Sequence, residues 1–322
     1  MKRILSGVQP SGHPHIGNYL GAIRQHIEMQ KNYECFLFIA DLHALTTVHD
    51  AKSMREQTYE LAVAYLALGL NPKKTVFFKQ SDLSEHTELC WIFDCIVKMP
   101  FLERAHAWKD AQEKGKKDPT VGLFNYPVLQ AADILLYQPD LVPVGQDQKQ
   151  HIEMTRDIAI TFNTTFGETF LIPEPYIKEE VAVVLGTDGQ KMSKSYKNTI
   201  EIFAEEPELK KQVMGIVTDS TPIEKPKDPS KCNVFNLYKL FATEKELKEL
   251  EKKYIAGGFG YGDSKKLLLK TILEYFGEAR KKYKELLPKK DYVYSVLEDG
   301  AKKAKLVASK TLSQAKKNIG YI

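Results

Sequence analysis

Gln9-Pro10-Ser11-Gly12-His13-Pro14-His15-Ile16-Gly17-Asn18 follows a short apolar run at 4–8 and opens directly into a helical pattern from Tyr19 onward. Gly12 and Gly17 let a backbone come close to a ligand. The N–H groups of a first helical turn have no partner inside the helix, so an anion there is stabilised. His15 and Asn18 are three apart and can point at one bound group. Strand, Gly/Pro loop and helix start make a nucleotide-binding arrangement; they also make a plain βα connection with a helix cap. This stretch alone leaves both readings open.

Working outward, residues 35–40 form a second apolar run, too continuous for an exposed antiparallel edge and fitting a buried parallel strand. It ends in Asp41-Leu42-His43-Ala44, which places His43 at a strand's carboxyl end, where open α/β sheets gather ligand groups. A capping or core histidine fits equally well. A helix over 51–68, with Leu61, Ala62, Tyr65 and Leu66 as packing residues, leads to a strand at 75–79. That alternation predicts a parallel βαβ sheet covered by helices.

Helices are expected over 85–97 and 101–113. The first carries Leu89, Trp91, Ile92, Phe93 and Ile96, more large apolar groups than one core face absorbs, which points to contact with a second copy. Lys114-Gly115-Lys116-Lys117-Asp118 is a basic loop, either solvated or able to meet phosphate. Over 126–136, Tyr126, Gln130 and Asp133 fall on one helix face at offsets of four and three. Asp133 is the informative residue, because Ala131, Ala132, Ile134, Leu135 and Leu136 surround it. A carboxylate in such company needs a donor: a structural cap, a buried pair or a ligand N–H.

A strand at 141–144 enters Gly145-Gln146-Asp147-Gln148, followed by a helix to about 164. Gly145 can let a nucleotide approach the backbone, Asp147 suits ribose hydroxyls, and Gln148 suits an ammonium; all could equally cap a helix. Further on, Gly186-Thr187-Asp188-Gly189-Gln190 leads into Lys191-Met192-Ser193-Lys194-Ser195, a mobile turn suited to presenting ammonium groups to a triphosphate. After a helix at 206–216 and a proline-bearing connector at 218–231, helices are expected at 234–241, 244–254, 264–287 and 292–318.

The 322 residues are 43% hydrophobic and 27% charged, as in a globular protein of two-domain size, with neither a signal-peptide pattern nor a membrane-length apolar run. A cytoplasmic location is the default. Four cysteines, Cys35, Cys90, Cys95 and Cys232, make a poor disulfide or metal framework. Residues 241–322 hold 19 basic and 11 acidic side chains, against 27 and 31 in residues 1–240. A polyanion partner fits the C-terminal part, as do ordinary solvated helix faces.

Taken together, His15-Ile16-Gly17-Asn18 and Lys191-Met192-Ser193-Lys194-Ser195 resemble the two signatures of class I aminoacyl-tRNA synthetases, with Asn18 in place of the first motif's second histidine. The phrase 6–12, the run Ala131-Ala132-Asp133-Ile134-Leu135 and the run 145–151 look like the tryptophanyl branch of that family. The resemblance covers nearly the whole chain. It implies an α/β fold: a Rossmann-like catalytic domain over 1–200 that includes a dimer region, and a mostly helical anticodon-binding domain over 201–322. The terminal helix is free to pack back on the first.

The implied substrates are ATP with Mg²⁺, L-tryptophan and the tRNA for tryptophan, handled by a cytoplasmic homodimer with no membrane, structural metal or iron–sulfur cluster. Lys191, Lys194, His15, Asn18 and Gln9 are the implied catalytic set. ATP would be held by Gln9, Pro10, Ser11, Gly17, Asn18, Gly145, Gln146, Asp147 and the loop Lys191, Met192, Ser193, Lys194 and Ser195. The amino acid would be held by Asp133, Tyr126, Gln130, Gln148, His43, Val142 and Val144. Gln130 departs from the branch's better-known methionine, which keeps a tyrosyl enzyme in view. A nucleotidyltransferase without tRNA and an inactive synthetase-like RNA-binding protein are the other readings.

Overall fold

A computed structural model describes residues 1–113, 118–145, 148–177 and 183–322. Five strands form one sheet: β1 (Arg3–Val8), β2 (Glu34–Ile39), β3 (Thr75–Lys79), β4 (Leu141–Pro143) and β5 (Glu174–Tyr176). The order is β3-β2-β1-β4-β5, with every neighbouring pair parallel. In β2, Cys35–Ile39 are all buried, as a parallel strand covered on both faces requires. Register runs Leu5 opposite Phe36 and Phe36 opposite Val76. Strand order reverses between β1 and β4, so the chain leaving β1 at Gln9 does so at the switch point where α/β sheets bind ligands.

The chain forms two compact units. One, the sheet unit, comprises Met1–Ser11, Gln25–Glu180 and Lys289–Ile322; the other, the helical unit, comprises Gly12–Arg24 and Val181–Pro288. These limits are not those of a single cut at residue 200. Gly12–Arg24 joins the later segment because Ile16 N–H donates to the Ile200 carbonyl (3.0 Å) and Ile202 N–H to that of Pro14 (3.1 Å).

The terminal helix, Lys290–Asn318, lies against β3 at the sheet's edge. Gly300 makes this possible: a β-carbon there would stand 1.8 Å from the Phe77 carbonyl oxygen. Ser309 and Lys316 on the same helix bond Glu85 (2.6 Å) and Glu88 (2.7 Å). Among the described residues, no helix is long and apolar enough to cross a membrane.

Some elements differ locally from the sequence expectation. The helix expected over 264–287 is two, Tyr261–Tyr275 and Gly277–Leu286. Phe276 between them is buried, and its ring meets Tyr19 (5.0 Å) and Phe241 (5.6 Å) edge-on, which takes the backbone out of the helical path. The helix expected from 126 begins at Val121, because Thr120 caps it by accepting from Leu123 N–H (3.3 Å). Pro127 then sits inside it rather than near its start. The helix expected over 101–113 is split into Met99–Leu102 and His106–Glu113.

Candidate active site

In the helical unit, the histidine signature pairs through its backbone with the chain that follows the lysine loop, and through Gly17 with Met192 of the loop itself. His15 and Glu201 form an antiparallel bridge, a few residues beyond the lysine loop. One consequence departs from the sequence expectation. The first-turn amides are already engaged: Ile16 with Ile200, Gly17 N–H with Met192 Sδ (3.4 Å) and Asn18 N–H with His15 Nδ1 (3.3 Å). An anion therefore meets side-chain donors here rather than bare helix amides, because the Ile200 carbonyl, the Met192 sulfur and the His15 ring already accept from them.

Asn18 Oδ1 accepts from His15 N–H (3.2 Å), completing a reciprocal cap. The residue that replaces the signature's second histidine thus fixes the helix start. His15 is buried, and burial, then the Lys194 charge, lowers its pKa to about 4. It is neutral near pH 7. Since Nδ1 accepts from Asn18, the ring proton sits on Nε2, and His15 offers a ligand an N–H donor rather than a base. Gly12 holds φ +74°, a left-handed backbone that favours glycine, and it lies in contact range of the Lys194 side chain.

The lysine loop is stapled by Asn198, a buried residue that sequence reading passed over. Its Oδ1 accepts from Ser193 N–H (2.7 Å), and its Nδ2 donates to Asp188 (2.7 Å) and to the Lys191 carbonyl (3.1 Å). Met192 is buried, Ser193 and Lys194 are half-buried, and Lys191 and Ser195 are exposed. Arg280, also buried, donates to the carbonyls of Ile202 and Ala204 (2.7 Å to the latter), fixing the segment that pairs with the histidine signature.

In the sheet unit, Asp133 is the centre of a buried polar cluster, 1% exposed. Its Oδ1 accepts from Gln80 Nε2 (2.7 Å) and His86 Nδ1 (2.7 Å), and Oδ2 bonds His43 Nε2 (2.7 Å). Burial pushes the carboxyl up, but the charge and hydrogen bond of His43 and the bonds and charge of His86 outweigh it, lowering the pKa to about 2. Asp133 stays ionised. The cluster is assembled from strand ends: His43 follows β2, Gln80 follows β3, and Gln80 Oε1 accepts from Leu42 N–H (3.1 Å). Tyr137 OH and His86 Nε2 are 2.9 Å apart.

Tyr126 lies edge-on to His43 (6.2 Å) and bonds His151 Nε2 (2.7 Å). Burial, then the Asp110 charge, raises its pKa to about 12. Gln130, one turn on, is half-buried, as is Gln148 at the N-cap of Lys149–Phe166. Val142 belongs to the hydrophobic core, and Val144 packs against it. Gln9 and Ser11 are exposed, Pro10 is buried, and Gly145 is exposed. Gln146 and Asp147, with the basic loop at 114–117, lie outside the described residues. Gln80, His86 and His151 were not singled out by sequence; Gln80 alone carried a usable signal, its place at the carboxyl end of a strand.

Residues 1–277 match the family model described as tRNA synthetases class I (W and Y). The chain is 53% identical, over 100% of its length and 99% of the relative's, to the tryptophan–tRNA ligase of Fusobacterium nucleatum subsp. nucleatum. It is 51% identical to that of Rhodopirellula baltica, covering 99% of each. The crystal structure of tryptophanyl-tRNA synthetase from Campylobacter jejuni, complexed with ADP and tryptophan, superposes with a TM-score of 0.94 at 49% identity over 99% of both chains. With the parallel sheet and both signatures in place, the chain belongs to the class I tRNA synthetases of the tryptophan and tyrosine group.

Proposed function

We propose that the chain is an ATP-dependent tryptophan–tRNA ligase, which joins L-tryptophan to ATP with release of pyrophosphate and then transfers the aminoacyl group to the 3′ end of tRNA(Trp). The observation that carries this reading is whole-length identity of 53% to a tryptophan–tRNA ligase. It favours tryptophan over the tyrosyl alternative that Gln130 had kept in view. Activation is in-line attack of the substrate carboxylate on the α-phosphorus. It needs orientation and stabilisation of phosphate charge rather than a protein nucleophile.

Lys191 and Lys194 meet the pyrophosphate oxygens, and His15 donates from Nε2 without carrying charge. Asn18, Gln9, Pro10, Ser11, Gly17 and Gly145 hold the nucleotide; Ser193, Ser195 and Met192 shape the loop. Asp133, ionised and buried, accepts the indole N–H. Tyr126, Gln148, Gln130 and His43 surround the amino acid, and Val142 and Val144 lie behind it. Mg²⁺ arrives with ATP as part of the substrate.

Homodimerisation through the 85–113 region is supported by exposed Trp91 and Met99, with exposed Val121 nearby. Met99 and Val121 also line a cavity of about 700 Å³. The basic helices after 241 are assigned to the tRNA, and the cytoplasm is the expected compartment.

The test is amino acid-dependent ATP–pyrophosphate exchange with tryptophan, tyrosine and phenylalanine on wild type and Asp133→Asn. Tryptophan should dominate in wild type, with its advantage over phenylalanine reduced in the variant by roughly 1–3 kcal/mol. Tyrosine preference would reject the substrate, and no exchange at all would favour an inactive RNA-binding relative.

A further inference from the structure

Asp133 has one acceptor position to spare. A carboxylate offers about four lone-pair sites. Oδ1 takes two donors, Gln80 and His86, and Oδ2 takes His43. Among the described residues, one site on Oδ2 remains, the capacity for a single N–H. Whether that site stays on Oδ2 depends on Oδ1 being fully committed, because a carboxylate that loses a donor can turn to recover one.

His86 differs from the other two donors in how it is fixed. It is fully buried, with the rings of Phe38 (5.9 Å), Phe78 (6.3 Å) and Tyr137 (5.6 Å) around it. When Nδ1–H serves the carboxylate, a neutral imidazole must accept at Nε2, and Tyr137 O–H, 2.9 Å away, is the donor. Burial, then the charges of Asp133 and Glu85, holds that phenol protonated. In that neutral tautomer the chain Tyr137–His86–Asp133 runs toward the carboxylate and ends on the oxygen opposite the open acceptor.

We propose that His86, oriented by Tyr137, is a positioning residue for amino acid selection, acting through Asp133 to reserve one acceptor for a side chain that carries an N–H donor. The inference rests on the reading of Asp133 as the indole acceptor. It concerns discrimination between side chains, not phosphate chemistry.

The experiment is pyrophosphate exchange with tryptophan and phenylalanine on wild type, His86→Leu, His86→Asn, Tyr137→Phe and Asp133→Asn, with a thermal melt of each. His86→Leu should lower the tryptophan-over-phenylalanine ratio roughly tenfold to a hundredfold, raise KM for tryptophan and leave KM for ATP unchanged. His86→Asn places an amide N–H where Nδ1 stood and should restore most of the ratio. Tyr137→Phe should lose several-fold. If His86→Leu does not fold, the Asn and Phe variants carry the test with the same expectations. A ratio unchanged in the His86 and Tyr137 variants but collapsed in Asp133→Asn overturns the inference and leaves Asp133 as the acceptor. A ratio unchanged in Asp133→Asn overturns both. Equal losses for both amino acids, not rescued by asparagine, mark His86 as merely structural and also overturn it.

Discussion

Replacing Gly300 by alanine sets two effects of opposite sign against each other. Gly300 lies inside the helix Lys290–Asn318, where alanine is intrinsically favoured by about 1 kcal/mol. Against this, the new β-carbon would stand 1.8 Å from the Phe77 oxygen, 2.5 Å from its carbonyl carbon and 3.0 Å from its nitrogen. All three are backbone atoms of a strand, so no side chain can swing away. An ordinary carbon–oxygen contact is about 3.4 Å, so helix and strand must part by roughly 1.5 Å. Val293, Leu297 and Leu312 on this helix are buried, each contributing about 1.5–3 kcal/mol.

A gap of that size forfeits about a quarter or more of their contact energy, roughly 1–2 kcal/mol, and residual overpacking adds about 1–3 kcal/mol. Overlap wins, with a net destabilisation of about 1–4 kcal/mol after the helix preference for alanine is subtracted. Thermal unfolding would show a lower transition, and hydrogen exchange would quicken in residues 290–318. A Gly300→Ala variant that is more stable by about 1 kcal/mol, with slower exchange there, would refute the close helix–strand approach.

Lys194→Ala should slow adenylate formation by about 10²–10³-fold in single turnover while changing equilibrium tryptophan binding little; equal losses would sink its phosphate role. The same variant should raise the His15 pKa in an NMR titration while leaving it below the usual value, because burial is the larger cause. Lys281 and Lys282 are exposed whereas Lys284 is paired with Glu205 (2.9 Å), so Lys281→Gln with Lys282→Gln is the cleaner test of tRNA contact. tRNA affinity and its salt slope should fall, the slope by about 1–2, with pyrophosphate exchange unchanged; an unaltered slope would make them ordinary solvated charges. His15 and His26 each have folded pKa values of about 4 against 6.5, His26 through burial, so the unfolded chain binds more protons between those values. Stability should be fully present above about pH 6.5 and be lost as pH falls toward 4, read from urea midpoints; a flat profile would contradict the buried, neutral assignment.

Local sequence carries most of the elements and the chemistry types. Continuous apolar runs at 35–40 and 75–79 mark buried parallel strands because a strand covered on both faces has no polar side. The two signatures show because they depend on residues adjacent in the chain. Asp133 stands out because its immediate neighbours are apolar, which states a need for a donor without naming one.

Tertiary structure alone decided who the donors are. His43, Gln80 and His86 reach Asp133 from 90, 53 and 47 residues away, and no local pattern encodes those pairings. Asn198 was silent for a related reason: an asparagine becomes a hub only once three backbone and side-chain groups converge on it. The first-turn amides were expected to be open because helix geometry leaves them so; the return of Ile200, the Met192 sulfur and the His15 ring closed them. The terminal helix is legible in sequence as a helix over 292–318, but its place against β3 depends on Gly300, a residue whose lack of a side chain has meaning only when another backbone lies against it.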